Sequence, residues 1–146
     1  MVSPEEHSPT GPLWATMDRL CRIPASTLIA ADVPPEPGVY VWYSDERAVY
    51  IGKASNLRAR VWNKHMGLGA VMTGSAFRRN VAEHLGIAKA SDIKMRRYTP
   101  TEEEVRSVNM WIRRCSVAWK VSATRAAALE LERHMKWEWM PPLTKA

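Results

Sequence analysis

Two neighbouring stretches of the chain alternate apolar and polar positions with period two, and most of the chain beyond them repeats with the period of a helix. Val39, Val41 and Tyr43 alternate with Tyr40 and Trp42, and Val49 and Ile51 alternate with Ala48, Tyr50 and Gly52. Both runs have the period of a β-strand. Ser44-Asp45-Glu46-Arg47 lies between them as a polar turn, so the pair predicts a hairpin. Loop length sets the register, and register decides which side chains share a face. A two-residue loop at Asp45-Glu46 sets Tyr50 opposite Val41. A three-residue loop at Asp45-Glu46-Arg47 sets Tyr50 opposite Trp42 and Gly52 opposite Tyr40. Only the second puts Tyr40 and Tyr50 on one face.

Before the hairpin, Leu13 to Arg22 reads as a short helix, with Leu13, Met17 and Leu20 on one side. Pro24 to Ala31 adds another helical turn, and Val33-Pro34-Pro35-Glu36-Pro37 is a stiff extended lead-in. After the hairpin, Ser55 or Asn56 caps a helix running to about Met66. At about 100° per residue, Leu57, Val61 and His65 share one face, and Asn56, Arg60 and Lys64 a neighbouring one. Arg60 therefore projects past the core towards the hairpin's tyrosine face, while Arg58 points elsewhere. Gly67, Gly69 and Gly74 form a loop. Ser75 caps a helix that Gly86 ends, with Phe77, Val81 and Leu85 as its buried stripe.

Ile93 to Tyr98 reads as a strand with one basic edge. Thr101 and Glu104 form a capping box for a helix whose inner face is Val105, Val108, Ile112 and Cys115. Val117 to Val121 is a further strand. Thr124 caps a last helix to about Met140, stopped by Pro141-Pro142. The pattern predicts an α+β fold, an antiparallel sheet flanked by helices. Residues 1–33 form an N-terminal extension, partly disordered (1–12) with a short helix, and residues 34–146 the domain proper.

Composition narrows the partners. The 146 residues suit one domain, and a net charge of +6 with a pI near 9.6 favours an anionic partner, nucleic acid being the usual one. Arg78 and Arg79 stand near a helix start, where the dipole disfavours cations. Phosphate contact or an acidic neighbour explains them. The two cysteines, Cys21 and Cys115, have no metal-ligand spacing and suit free thiols in a reducing cytoplasm. The polar start of the chain is unlike a secretory leader, and no apolar run reaches membrane-spanning length.

The two tyrosine motifs are Gly38-Val39-Tyr40 and Tyr50-Ile51-Gly52, ten residues apart and followed by Lys53, Asn56, Leu57, Arg60 and Val61. This stretch resembles the GIY-YIG nuclease superfamily, and especially the nuclease domain of the excision-repair incision subunit. The resemblance implies a small GIY-YIG-type sheet and a Mg²⁺-dependent endonuclease (Mn²⁺ as a possible substitute) acting on DNA or RNA, as a monomer or homodimer. It implies that Tyr40 orients the attacking water or removes its proton as phenolate, with Lys53 lowering that phenol. Tyr50 is a second hydroxyl, and Arg60 neutralises charge on the pentavalent phosphorus. Asn56, Lys64, Arg78 and Arg79 are candidate nucleic-acid contacts.

Metal-assisted hydrolysis needs a carboxylate for a hard cation. The last helix offers Glu130, Glu132 and Glu138. Its apolar stripe is Ala128, Leu131, Met135 and Trp139. Glu132 lies within roughly 60° of Ala128 and Met135, and Glu130 about 140° or more from both. Glu132 therefore borders the buried face and Glu130 faces water. The resemblance agrees, since Glu132 stands nine positions before Pro141, as in the repair domain.

The chain departs from the family pattern twice. The closing Asn falls on Thr144, whose shorter side chain puts a structural bond in question. The 71 residues between Arg60 and Glu132 make the middle helices an insertion. Some longer members carry a His one helical turn after the Arg. Here Lys64 holds that position, and His65 follows on the apolar side as a catalytic or a packed histidine. Two other readings stand beside the nuclease. One is a catalytically weakened nucleic-acid-binding module, which Thr144 favours. The other is an interaction protein presenting Trp62, Trp111, Trp119, Trp137 and Trp139.

Overall fold

The hairpin sits inside a four-stranded antiparallel sheet of order β1-β4-β2-β3. The structure is a computed structural model describing residues 11–66 and 72–145, with the side chains of Lys64 and His65 outside the description. The expected disorder before Gly11, and the loop glycines Gly67 and Gly69, lie outside the described residues. Strand β2 (Gly38–Ser44) pairs on one side with β3 (Arg47–Ala54) and on the other with β4 (Ser116–Val121). A two-residue strand, β1 (Ile23–Pro24), pairs outside β4.

The hairpin turn takes the shorter of the two loops and reaches the register of the longer. Asp45 and Glu46 both have positive φ, 50° and 66°, the handedness that matches the twist of the flanking strands. Tyr43 then pairs with Ala48 but Trp42 with Tyr50, so Val49 is an extra residue in β3, a bulge. Beyond the bulge Tyr40 lies opposite Gly52. The carbonyl of the bulged Val49 accepts from Leu143 N at 2.8 Å, so the C-terminal segment covers this sheet edge.

Each sheet face carries its own apolar layer. Val39, Val41, Tyr43 and Ile51 pack with Trp14 and Met17 of α1 (Pro12–Asp18) and with Ala128 and Met135 of α5 (Arg125–Glu138). Tyr40, Trp42 and Tyr50 face α2 (Ala76–His84) and α4 (Glu102–Arg113) through Phe77, Val81, Val105, Val108 and Ile112. The Trp42 and Phe77 rings stack at 4.9 Å, and Tyr50 lies 5.0 Å from the same ring. The insertion is thus the second layer of the core.

The N-terminal extension is built in. Trp14 is fully buried and its indole N–H donates to Met135 O at 2.8 Å, while the Glu138 carboxylate accepts from Leu13 N and Trp14 N, each at 3.3 Å. Glu138 thereby serves the free N–H groups at the start of α1.

The predicted caps are present. Ser75 Oγ accepts from Arg78 N at 3.2 Å, Thr101 and Glu104 form their box, and Thr124 Oγ1 accepts from Ala127 N at 3.1 Å. Gly86, at φ +77°, follows the end of α2.

Three expectations are corrected. Ile93 to Tyr98 is not a strand: α3 (Ala90–Lys94) ends there, and Arg97 N and Tyr98 N turn back to Asp92 O. Ile93 is buried but Met95 is 60% exposed, so the apparent alternation has no second buried position. Pro24 to Ala31 is not helical, because Pro24 belongs to edge strand β1, where a missing N–H is tolerated. Only a short 3₁₀ turn, Ala30–Asp32, follows it. Leu85 is 38% exposed and does not complete the α2 stripe.

Candidate active site

The register places Tyr40 across from Gly52, and the contact leaves no room for a side chain there. A Cβ on Gly52 would lie 2.3 Å from both Cζ and the hydroxyl oxygen of Tyr40. The first motif's glycine has a similar reason. A Cβ on Gly38 would meet Lys120 O at 2.4 Å and Leu57 Cδ1 at 2.7 Å, where β2 enters between β4 and the next helix. The Tyr40 and Tyr50 rings are stacked at 6.3 Å and 27°. The Tyr40 and Tyr50 hydroxyls are hydrogen-bonded to each other.

Burial dominates the chemistry of both phenols. Tyr40 is held well above the ordinary phenol value, first by desolvation, then by the neighbouring Tyr50, with Arg60 opposing and Glu132 adding to the rise. Tyr50 is raised too, by desolvation and then by Glu132, against the pull of Arg60 and Arg79. The cation expected beside Tyr40 was Lys53. Instead Lys53 Nζ lies 3.7 Å from Glu132 Oε1, and Arg60 is the cation that acts on Tyr40.

The helix after the hairpin is a π-helix, Arg58–His65. Met66 N bonds Val61 O five residues back, the wider turn that α-helices adopt locally and often at functional sites. Leu57 and Val61 are fully buried, and Arg60 reaches the cleft mouth. Arg58 points away, its Nε donating to Ala30 O at 3.0 Å and Val33 O at 2.8 Å, which ties down the proline-rich lead-in. Asn56, a candidate nucleic-acid contact, is instead engaged in the chain: its Oδ1 accepts from Ala59 N at 3.0 Å.

From α5 comes Glu132, only 5% exposed, with Lys136 Nζ at 3.2 Å besides Lys53. Glu130 faces solvent and pairs with Arg133 and His134, each at 3.3 Å. Thr144 closes the site. Its Oγ1 accepts from Ile51 N at 2.9 Å, between the motif residues Tyr50 and Gly52, so the hydroxyl ties the C-terminal segment to the second motif. Asn80 Nδ2 holds the same segment through Leu143 O at 2.8 Å.

These side chains line one cleft of about 450 Å³. Among the described residues its charged walls are Lys53, Arg60, Arg79, Lys94, Lys136 and Lys145, against the single carboxylate of Glu132. Tyr40, Tyr50 and Asn80 line it as well. No group of three or more metal-ligating side chains occurs among the described residues. Glu132, a buried carboxylate lining the cleft, is the metal candidate. A lone carboxylate suits Mg²⁺, which keeps several waters and takes substrate phosphates as ligands.

A family model described as the GIY-YIG catalytic domain matches residues 29–144. The chain belongs to the GIY-YIG family. It also resembles UvrABC system protein C of two Bifidobacterium longum strains, DJO10A and NCC 2705. Each match is 53% identical over 34 residues, 23% of this chain and 5% of the relative. The chain thus covers a small fraction of the length of these relatives. No solved structure matches it.

Within the GIY-YIG site the remaining candidates divide. Arg79 lines the cleft, where its Nη1 donates to Met72 O at 3.2 Å and to Thr73 O, and burial lowers its pKa. Arg78 does not reach the surface: it is 2% exposed and its Nη2 donates to Asn109 Oδ1 at 2.9 Å, joining α2 to α4. Its placement near the helix start has a packing reason, and the nucleic-acid assignment is withdrawn. The side chains of Lys64 and His65 lie outside the described residues. Of the five tryptophans considered as a partner surface, four are half-buried and Trp137 is 88% exposed.

The sequence reading missed Lys94, Lys136 and Lys145. Lys136 had a signal, one helical turn after Glu132 at the spacing of an ion pair. Lys94 was hidden by taking α3 for a strand. Lys145 lies in a segment without periodicity, where it pairs with Glu83 at 2.6 Å.

Proposed function

We propose that this GIY-YIG chain is a Mg²⁺-dependent endonuclease that hydrolyses phosphodiester bonds of DNA, with Mn²⁺ as a substitute metal. The supporting observation is one cleft holding both motif tyrosines, Arg60 and a buried carboxylate, within walls that are otherwise cationic. Such a cleft concentrates a polyanion and orients a phosphate against the carboxylate.

Arg60 is the donor fork for the phosphate under attack, since a guanidinium matches two phosphate oxygens at once. Tyr40 stays a neutral phenol at ordinary pH. In that state its role is to hold and orient the attacking water. Tyr50, hydrogen-bonded to Tyr40, is a second hydroxyl that orients water or phosphate. Lys53 and Lys136 balance Glu132 until substrate enters, then are free to turn to the incoming phosphates. A divalent cation on Glu132 would supply charge neutralisation for a phosphoryl oxygen and the leaving group.

The test is incubation of the purified protein with single-stranded, duplex and branched DNA, and matching RNA, in Mg²⁺. Glu132→Ala and EDTA are the controls. Cleavage lost in both supports the reading, and full activity of Glu132→Ala overturns the metal assignment. The rival reading, a weakened binding module, leans on Thr144, whose hydroxyl accepts from Ile51 N. Binding without cleavage would favour it.

A further inference from the structure

Beside the cleft lies a smaller recess of about 140 Å³, lined by Lys53, Ala54, Ser55, Arg60, Arg125 and Leu129. Lys53 and Arg60 also line the cleft, so the two hollows share a wall. Among the described residues, the charged ones lining the recess are three cations, with no carboxylate. Arg125 belongs to the recess alone. Among the described residues neither Arg60 nor Arg125 has a carboxylate in ion-pair range.

The position of Arg125 runs against helix electrostatics. It is the first residue of α5, where the helix's positive end disfavours a cation. Helix α4 shows the ordinary choice, with Glu102, Glu103 and Glu104 in its first turn, whereas α5 has no acidic residue there. An anion between Arg125, Lys53 and Arg60 reverses that penalty, because helix end and side chains then attract the same charge.

Spacing along α5 relates the recess to the chemistry. Arg125 and Glu132 are two turns apart on one helix face, about 10 Å along the axis at 1.5 Å per residue. A B-form strand rises about 3.4 Å per nucleotide. A strand running beside α5 with one phosphate at Glu132 brings another to Arg125 within about three nucleotides.

We propose that this recess is a second phosphate subsite for the same strand, with Arg125 as its distinguishing contact. The proposal rests on the nuclease reading and narrows its substrate to polynucleotides that continue past the cut on the Arg125 side. Such a contact sets the register of the strand without reading its bases.

The test is binding in EDTA across a salt series by the full chain, Arg125→Ala and Arg125→Lys. The oligonucleotides carry one uncharged methylphosphonate at each position in turn. Arg125 is exposed, and thermal melting checks the fold of each variant. Arg125→Ala should bind roughly tenfold more weakly, the size of one charged hydrogen-bonded contact. Its slope of log K against log salt should fall by about 0.9 on duplex or 0.7 on single strands. Arg125→Lys should keep most of the slope. One methylphosphonate within three nucleotides of the cut should weaken the parent and leave Arg125→Ala unaffected. A folded Arg125→Ala with parental affinity and slope overturns the subsite. So does a variant that every neutral phosphate weakens as much as the parent. A parent that binds DNA but never cleaves it overturns the nuclease reading instead, and the salt slopes still decide the subsite.

Discussion

Gly52 sets how close Tyr40 can come to β3, because the ring occupies the volume a side chain would need. Gly52→Ala would force Tyr40 out of a layer in which it is 2% exposed. Overpacking of that kind costs about 1–3 kcal/mol, and on the proposed mechanism the displacement of Tyr40 loses roughly a hundredfold in rate. Single-turnover cleavage beside a denaturant titration separates the two effects. Unchanged kinetics would mean that the ring's position does not matter to the reaction.

The three glutamates of α5 are a second case at this scale, one helix giving them three roles. Glu132 faces the cleft, Glu138 serves the start of α1, and Glu130 lies in water. Glu130→Ala should change stability by no more than about 0.5 kcal/mol and leave cleavage near parental, as exposed ion pairs contribute little. Loss of cleavage in Glu130→Ala would refute the assignment of faces. Helical periodicity alone was enough to order Glu130 and Glu132, because both sit mid-helix.

At the scale of elements, the strand register depends on a bulge that no simple alternation announces. Val49 breaks the pairing and so brings Tyr50 onto the face of Tyr40, and the freed carbonyl is taken by Leu143 N. The C-terminal segment then makes its second bond through Thr144 to Ile51 N. Thr144→Val keeps the shape and removes the acceptor. It should cost about 1–3 kcal/mol, the penalty for a buried donor left without a partner. Thr144→Asn, which restores the family residue, should cost less. Chemical denaturation of both variants checks this, and equal stability of parent and Thr144→Val would show the bond to be dispensable.

The same scale shows why some elements were legible and others not. Helices α2, α4 and α5 announced themselves through caps and long apolar stripes, both of which are local. The hairpin was legible except for its register, which two loop lengths left open until Val49 was seen to bulge. Helix α3 was misread because its five residues bury only Ala90 and Ile93, too few to show a period. Arg60 was placed correctly although its helix has the wider π turn. The walls Lys94 and Lys145 depend on how the insertion and the C-terminus fold back, which local pattern does not contain.

Taken as a whole, the molecule buries neutral acids on both sides of its sheet, and that sets its response to alkali. Tyr40 and Tyr50 are raised on the insertion side. On the other face Tyr43 is raised by burial and by the Asp18 carboxylate that accepts from its hydroxyl at 2.9 Å. Burial pushes the Cys115 thiol from an ordinary 9.0 up to about 12. In each case the unfolded chain loses its proton at lower pH than the folded one. The folded state then holds more protons than the unfolded state, so stability falls as pH rises. The contribution is intact below the unfolded values and is lost between them and the folded ones. Decline should therefore begin near pH 9 with Cys115 and steepen above pH 10 as the tyrosines join. Each group adds a slope of up to about 1.4 kcal/mol per pH unit. Urea titrations at steps from pH 7.5 to 10.5 measure it. Cys115→Ala should lower the overall level yet flatten the part of the curve between pH 9 and 10. A stability that stays level through pH 10.5 would show that these phenols ionise as easily in the fold as in water, and Tyr40 would then be open to a phenolate role.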